Sequence, residues 1–162
     1  MSNIALDEID LRLLNHMQAD ARLTNVELAE RIGLSPSPCL RRLRKLENDG
    51  VIQGYMTFVD QTKVGLPVSV FVSVALKEQS EKALEEFEAA VAALPEVMEC
   101  YLMTGASDYL MRVVTRDLAD YERFLKNHLT RIPAIASIQS SFALKQVTYR
   151  TALPLDEEGP IS

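Results

Sequence analysis

The chain is short of the residues that crosslink, ligate metals or catalyse. Its 162 residues include two cysteines, Cys39 and Cys100, and two histidines, His16 and His128. Two cysteines cannot build a disulfide framework, so reduced thiols in a cytosolic protein are expected. The histidines are far apart, neither is near a cysteine, and metal-ligand spacing is absent, so no metal site is expected. No GxGxxG, P-loop, HExxH or GxSxG stretch occurs, so no catalytic residue is assigned. No apolar run reaches the roughly 18 residues of a membrane span. The longest, Pro67–Leu76, is broken by Ser69 and Ser73. The opening MSNIALDEIDLRLL has no basic stretch followed by an apolar one, so no signal peptide is expected.

Positive charge is also scarce. There are 17 Lys+Arg against 23 Asp+Glu, a net charge of −6 and a pI near 5.0. Nucleic-acid binders are usually basic, so the total argues against that class. The distribution changes the picture. Residues 1–64 carry 8 cations and 9 anions; residues 65–162 carry 9 and 14. Most of the excess therefore lies in the second part, and residues 39–46 hold four cations and no anion.

The apolar content of 48% excludes wholesale disorder, and the length suits one domain or two small ones. The hydrophobic pattern changes near residues 50–66. Before it, helical periodicity dominates. Ile9, Leu13, Leu14 and Met17 mark a first helix, from Asp7 as N-cap to about Ala19. Thr24 and Glu27 have capping-box spacing and open a second helix, with Val26, Leu28, Ala29 and Ile32 as its apolar side and Gly33 at its end. Ser35 caps a third helix, with Pro36 and Pro38 in its first turn, ending before Gly50. Two helices joined by a short Gly-containing turn, behind a support helix, form a helix-turn-helix.

The second part repeats itself. A strand (Val68–Leu76), a helix (Glu81–Leu94) and a strand (Val97–Thr104) precede a strand (Tyr109–Thr115), a helix (Leu118–Arg131) and a strand (Ile135–Val147). Ser80 and Asp117 are matching N-caps. Leu84, Phe87, Val91 and Leu94 form one apolar stripe; Leu118, Tyr121, Leu125, Leu129 and Ile132 form the other. The order βαββαβ is ferredoxin-like, with both helices on one face of a four-stranded antiparallel sheet. The second face reads as apolar at Phe71, Val113 and Phe142, so a dimer is expected. The fold class is thus α+β, a helix-turn-helix followed by a ferredoxin-like domain.

The third helix carries the sharpest chemistry. Leu40, Leu43 and Leu46 form a stripe, and Arg41, Arg42, Arg44 and Lys45 oppose it. A lone basic helix is usually a solvated surface. As the second member of a helix-turn-helix, with Ser35 and Ser37 at its start, it fits the major groove of double-stranded DNA instead. The turn Leu102–Tyr109 has two readings. It is a plain hairpin, with Gly105 for the turn and Asp108 for a local bond. Alternatively, its N–H groups and Asp108 hold the carboxylate and ammonium of a small zwitterion. Cys39 reads as a packing residue on the third helix, with a redox role left open.

LDEIDLRLLNHMQADAR, TNVELAERIGLSPSPCLRRLRKLENDGVIQGY, MTGASDYL and SSFALK together resemble the Lrp/AsnC family of transcription regulators, over about Leu6–Leu155. SPSPCLRRLRKLE is similar to the Lrp branch. VMECYLMTGASDYL with SSFALKQV and TALPL resembles the branch that includes regulators of branched-chain amino-acid catabolism.

The resemblance implies a winged-helix-like DNA-binding domain over 1–50 and a linker strand or hinge over 51–66. It implies an effector-binding and oligomerisation domain over 67–153; the acidic tail 154–162 reads as mobile. It implies dimers, assembling into octamers of four dimers, in the cytoplasm and associated with the nucleoid. The effector is a small amino acid, leucine or another apolar one, bound beside Met103, Thr104, Gly105, Ser107, Asp108 and Tyr109. Ser140, where many members have Thr, approaches that pocket. No further cofactor is implied. The expected function is sequence-specific regulation of amino-acid metabolism genes, with DNA met by Ser35, Ser37, Arg41, Arg42, Arg44 and Lys45. Two other classes remain: a scaffolding oligomer whose first domain binds protein, disfavoured by the basic helix, and a small enzyme on the ferredoxin-like sheet, for which no catalytic constellation exists.

Overall fold

A computed structural model describes residues 4–156. The chain forms two compact units: residues up to Thr57 together with those from Thr148 onward, and Phe58–Val147.

The first unit is built on α1 (Glu8–Ala19), α2 (Asn25–Ile32) and α3 (Pro36–Asn48). Sequence chemistry sets the start of each. Asp7 caps α1 by accepting from the Asp10 N–H at 2.9 Å, and the Asp10 carboxylate accepts from the Asp7 N–H in return. Thr24 and Glu27 form the same reciprocal box on α2. Each such cap satisfies amides that a helix start leaves without a partner, and loss of one costs about 1 kcal/mol. Gly33 ends α2 at φ 71°, a left-handed angle that favours glycine. Ser35 stands at the N-cap of α3, but its side chain makes no capping bond.

The core of this unit is Leu13, Leu14 and Met17 of α1, Leu28, Ala29 and Ile32 of α2, and Cys39 and Leu46 of α3. Val26 differs from expectation: it is 54% exposed, because it lies off the Leu28–Ala29–Ile32 face. Among the described residues no strand forms in this unit, so there is no wing hairpin. Residues 51–60 run without a ladder, and the expected linker strand does not form because, among the described residues, no strand pairs with them.

The second unit is the expected βαββαβ. It comprises β1 (Val68–Leu76), α4 (Glu81–Ala92), β2 (Val97–Leu102), β3 (Tyr109–Thr115), α5 (Leu118–Asn127) and β4 (Ile135–Phe142). The sheet order is β2-β3-β1-β4, all antiparallel. Helix α5 ends earlier than expected, at Asn127; Leu129–Arg131 continue as a 3-10 turn. Strand β4 also ends early, at Phe142 rather than Val147.

One sheet face packs on the helices. Val70, Val72, Val74, Met111 and Val113 meet Ala83, Phe87, Val91, Tyr121, Phe124 and Leu129. Phe124 joins this core, whereas Leu118, expected in the apolar stripe, is 65% exposed. The register corrects the reading of the other face. Val113 is fully buried, opposite Val70. Phe142 also pairs with Val70, and its ring meets Tyr121 edge-on at 5.3 Å, so it lies on the helix side. Of the three residues expected on the open face, only Phe71 lies there. Its neighbours by register are Arg112 and Ser141, and alternation adds Leu110, Val114 and Tyr101 to that face.

The division after β4 also differs from expectation. Residues 148–153 belong to the first unit, not the second. The expected mobile tail is seated at its beginning: Leu155 packs against the α1–α3 core. The remainder of that tail, residues 157–162, lies outside the described residues.

Candidate functional site

Helix α3 presents a solvent face lined by Ser37, Leu40, Arg41, Arg44, Lys45, Asn48 and Asp49, a shallow groove of about 440 Å3. The buried side is Cys39, Leu43 and Leu46 rather than Leu40, Leu43 and Leu46. At about 100° per residue, exchanging Leu40 for Cys39 turns the buried centre by roughly a tenth of a turn toward the Cys39 side. Leu40 then reaches the rim of the outer groove. Arg42 moves to the flank, where α1 begins.

The consequence for Arg42 is direct. Its Nη1 lies 2.7 Å from Asp7 Oδ2 and 2.8 Å from Asp10 Oδ1. The arginine expected to meet DNA instead joins α3 to the capping box of α1. Burial raises the Asp7 pKa, but the Asp10 N–H and the Arg42 guanidinium outweigh it, so Asp7 stays below its ordinary value of 3.8. Arg41 and Arg44 are exposed and, among the described residues, enter no ion pair. Lys45 is 2.9 Å from Asp49, one turn on, and remains largely exposed. Such a surface pair adds little rigidity and leaves the lysine able to exchange partners. Ser35 and Ser37 are both exposed. The outward set is therefore Ser35, Ser37, Arg41, Arg44 and Lys45, with Asn48 added. Asn48 escapes a search for cations, yet it lies within the arc these residues span.

The second candidate is the β2–β3 turn. Gly105 has φ 123°, and a Cβ there would meet nothing within 4 Å, so the backbone angle rather than space calls for glycine. The Met103 N–H donates to the Asp108 carbonyl at 2.8 Å and closes the turn. Met103, Thr104 and Gly105 are exposed, and Ser107 is half-buried. Among the described residues, the N–H groups of Thr104, Gly105, Ala106 and Ser107 meet no acceptor of the protein itself. Undonated amides in a turn are the raw material of an anion site.

Asp108 works inside the fold. Its Oδ2 accepts from the Leu76 N–H at 2.7 Å, its Oδ1 accepts from Gln79 Nε2 at 2.6 Å, and its own N–H donates to the Val74 carbonyl. The turn is thus tied to the end of β1. A carboxylate still keeps lone pairs for a further donor. Tyr109 is 1% exposed; its ring lies 4.4 Å from Phe87, and its hydroxyl donates to Glu88 Oε1 at 2.7 Å. Burial, then the Glu88 carboxylate, holds its phenol well above the ordinary range. It anchors the turn from the core.

Ser140 does not join this group within the chain. It pairs with Val72 in β4, and β1 separates β4 from β3. Its hydroxyl and that of Tyr121 are 2.5 Å apart on the helix side. Cys39 is fully buried, and burial raises its thiol pKa, which disfavours the reactive thiolate. His128 is exposed with its ring tilted on Phe124, a boundary position. No metal-ligating group of three or more His, Cys, Asp or Glu occurs among the described residues.

Comparison with known proteins places both sites in one context. Residues 6–53 match the model of a winged helix-turn-helix DNA-binding domain, and residues 69–153 match the Lrp/AsnC ligand binding domain. The chain belongs to the Lrp/AsnC family. As a member it is a DNA-binding transcription regulator with an amino-acid-binding domain, not an enzyme. It is 48% identical over 150 residues to the Bkd operon transcriptional regulator of Pseudomonas aeruginosa, covering 93% of this chain and 98% of that one. It is 40% identical to the leucine-responsive regulatory protein of Rhizobium meliloti, covering 89% and 92%. Among solved structures, a transcriptional regulator of Neisseria meningitidis in complex with L-Met superposes with a TM-score of 0.89 at 39% identity, covering 93% and 97%. No described helix is long and apolar enough to cross a membrane.

Proposed function

We propose that this Lrp/AsnC regulator reads its operator through the outer face of α3, with Ser35, Ser37, Arg41, Arg44 and Lys45 meeting the DNA and Arg42 setting the helix in place. The observation that carries this reading is the groove lined by Ser37, Arg41 and Arg44 on the side of α3 opposite Cys39, Leu43 and Leu46. Guanidinium groups on such a helix reach guanine edges or phosphates. A gel-shift titration of Arg41→Ala/Arg44→Ala on the protein's own promoter tests it. Binding falls while the oligomer persists; unchanged binding rejects the placement.

The effector is a small apolar amino acid, leucine or methionine in character, seated at the Met103–Tyr109 turn. Support comes from the undonated amides at residues 104–107 and from the Neisseria relative solved with L-Met. The amides suit a carboxylate, and the lone pairs left on Asp108 suit an ammonium. Ser107, at the mouth of the turn, is placed to influence ligand choice. Ser140 enters such a site from a second copy of the chain or not at all, because β1 stands between it and the turn.

The protein assembles through the open sheet face around Phe71 into dimers, and dimers into an octamer. It works in the cytoplasm on nucleoid DNA and controls amino-acid metabolism genes. A thermal-shift screen of the twenty amino acids finds the effector, because a specific ligand raises the melting temperature by mass action.

A further inference from the structure

The segment after β4 returns to the first unit and is bound there like a peptide. Gln18 of α1 grips the main chain of Leu153 from both sides: the Leu153 N–H donates to Gln18 Oε1 at 2.6 Å, and Gln18 Nε2 donates to the Leu153 carbonyl at 3.1 Å. Asn15 Nδ2, one turn earlier on the same face, donates to the Leu155 carbonyl at 3.3 Å. Between them the Leu155 N–H donates to the Leu153 carbonyl at 2.9 Å, a three-residue turn centred on Pro154. Proline suits that centre because its φ is already near the required angle. The Leu155 side chain packs against the α1–α3 core. Two amide side chains, one turn and one apolar anchor make a specific seat for Leu-Pro-Leu.

Helix α1 touches two things that matter. Its N-terminal end, through Asp7 and Asp10, holds Arg42 of the recognition helix. Its later turns, through Asn15 and Gln18, hold the C-terminal segment. The chain leaves the DNA-binding unit after Thr57 and returns to it at Thr148, so the amino-acid-binding unit is tethered to it at both of its ends.

We propose that Leu153–Leu155 is a latch on α1: its seating steadies the helix that positions α3, and its release weakens DNA binding. The C-terminal segment is in this sense a working part of the DNA-binding unit and a second mechanical connection from the unit that binds the amino acid.

Amide hydrogen exchange and promoter binding on the full chain test this, with Gln18→Ala breaking the seat from the helix side and Leu155→Asp from the tail side. In the wild type the Leu153 amide is protected together with the amides of α1. Each variant raises exchange at Leu153 and along α1 by about fivefold to tenfold, as expected for losing a hydrogen-bonded anchor worth about 1 kcal/mol. Each also weakens promoter binding several-fold, while the melting of the Phe58–Val147 unit is unchanged. Exchange of the Leu153 amide at the rate of an unstructured peptide in the wild type overturns the latch. So does unaltered α1 exchange in both variants, or unaltered promoter affinity despite raised exchange. If the wild type itself fails to bind the promoter, the DNA assignment of α3 falls, and the exchange data still decide whether the seat exists.

Discussion

Arg42 of α3 is locked to Asp10 of α1, Nη1 to Oδ1 at 2.8 Å, with the Asp10 side chain only 12% exposed. The same guanidinium atom reaches Asp7, so one arginine holds both carboxylates of a capping box. A cation of the helix proposed to read DNA has become the joint that holds that helix to α1. Removing it leaves a nearly buried carboxylate with its cap bond but without its countercharge.

Arg42→Ala is therefore expected to destabilise the first unit by about 1–3 kcal/mol, from the lost ion pair and the stranded Asp10. Arg41→Ala, on the exposed face, is expected to stay within about 0.5 kcal/mol of the wild type. Urea unfolding separates the two. DNA binding separates them the other way: Arg41→Ala loses about 1–3 kcal/mol of discrimination if it reads a base, and weakens all sequences alike if it meets a phosphate.

The same joint has a pH signature. The Asp7 pKa lies below 3.8, so its contribution to stability is present above that value and is lost as pH falls through the lowered folded value. An NMR titration of the Asp7 carboxyl checks this. In Arg42→Ala its pKa rises toward the ordinary value, while the cap bond from the Asp10 N–H still holds it down in part.

Asp108 supports the turn before it can serve a ligand. Asp108→Ala frees the Leu76 N–H and Gln79 and is expected to cost the second unit about 1–3 kcal/mol. Gln79→Ala removes one of these bonds at an exposed site and costs less than about 1 kcal/mol. Calorimetry of amino-acid binding alongside melting distinguishes the roles. If Asp108 also holds the ammonium, Asp108→Ala abolishes binding at temperatures where the variant remains folded, and Gln79→Ala does not.

Tyr109 gives a clean contrast between packing and hydrogen bonding. Tyr109→Phe loses the bond to Glu88 and costs about 0.5–1.5 kcal/mol. Phe87→Ala opens the core beneath it and costs about 3–5 kcal/mol. The raised phenol pKa means that its stabilisation is complete below the ordinary tyrosine value and is lost as pH rises through the folded one. Ultraviolet titration should show a late-ionising component to which Tyr55, Tyr109 and Tyr121 contribute, and Tyr109→Phe removes one tyrosine's amplitude from its alkaline end.

The two sheet faces yield opposite outcomes for two phenylalanines. Phe71→Asp, on the open face, is expected to dissociate the proposed dimer and leave the monomer folded. Phe142→Ala, packed on Tyr121, lowers the melting temperature and leaves the assembly intact. Sedimentation at several concentrations, together with thermal melts, reads both.

Local order was legible in the chain because it is written in neighbouring residues. Asp7, Thr24 with Glu27, Ser80 and Asp117 cap helices where the sequence pattern places them; Ser35 stands at its expected N-cap position without a capping bond, and the return bond from Asp10 came from the structure. The order βαββαβ and the helix-turn-helix follow from alternating and three-to-four spacing. The net charge of −6 concealed a cationic helix only until its distribution was read.

Choices among near-equivalent residues were left to packing. Leu40 and Cys39 are adjacent and both apolar, so periodicity could not say which enters the core; the fit of α3 against α1 and α2 buries Cys39. That rotation decides that Arg42 pairs with Asp10 while Arg41 and Arg44 remain outside. Phe71 and Phe142 look alike in their strands, but register places them on opposite faces, because shifting a strand by one residue reverses every side chain. The return of Leu153–Leu155 to Gln18 joins residues 135 apart in sequence. Sequence by itself determined the elements and their caps, which are short-range; tertiary structure decided which face each element buries and which distant partners meet, because those depend on contacts that no local pattern encodes.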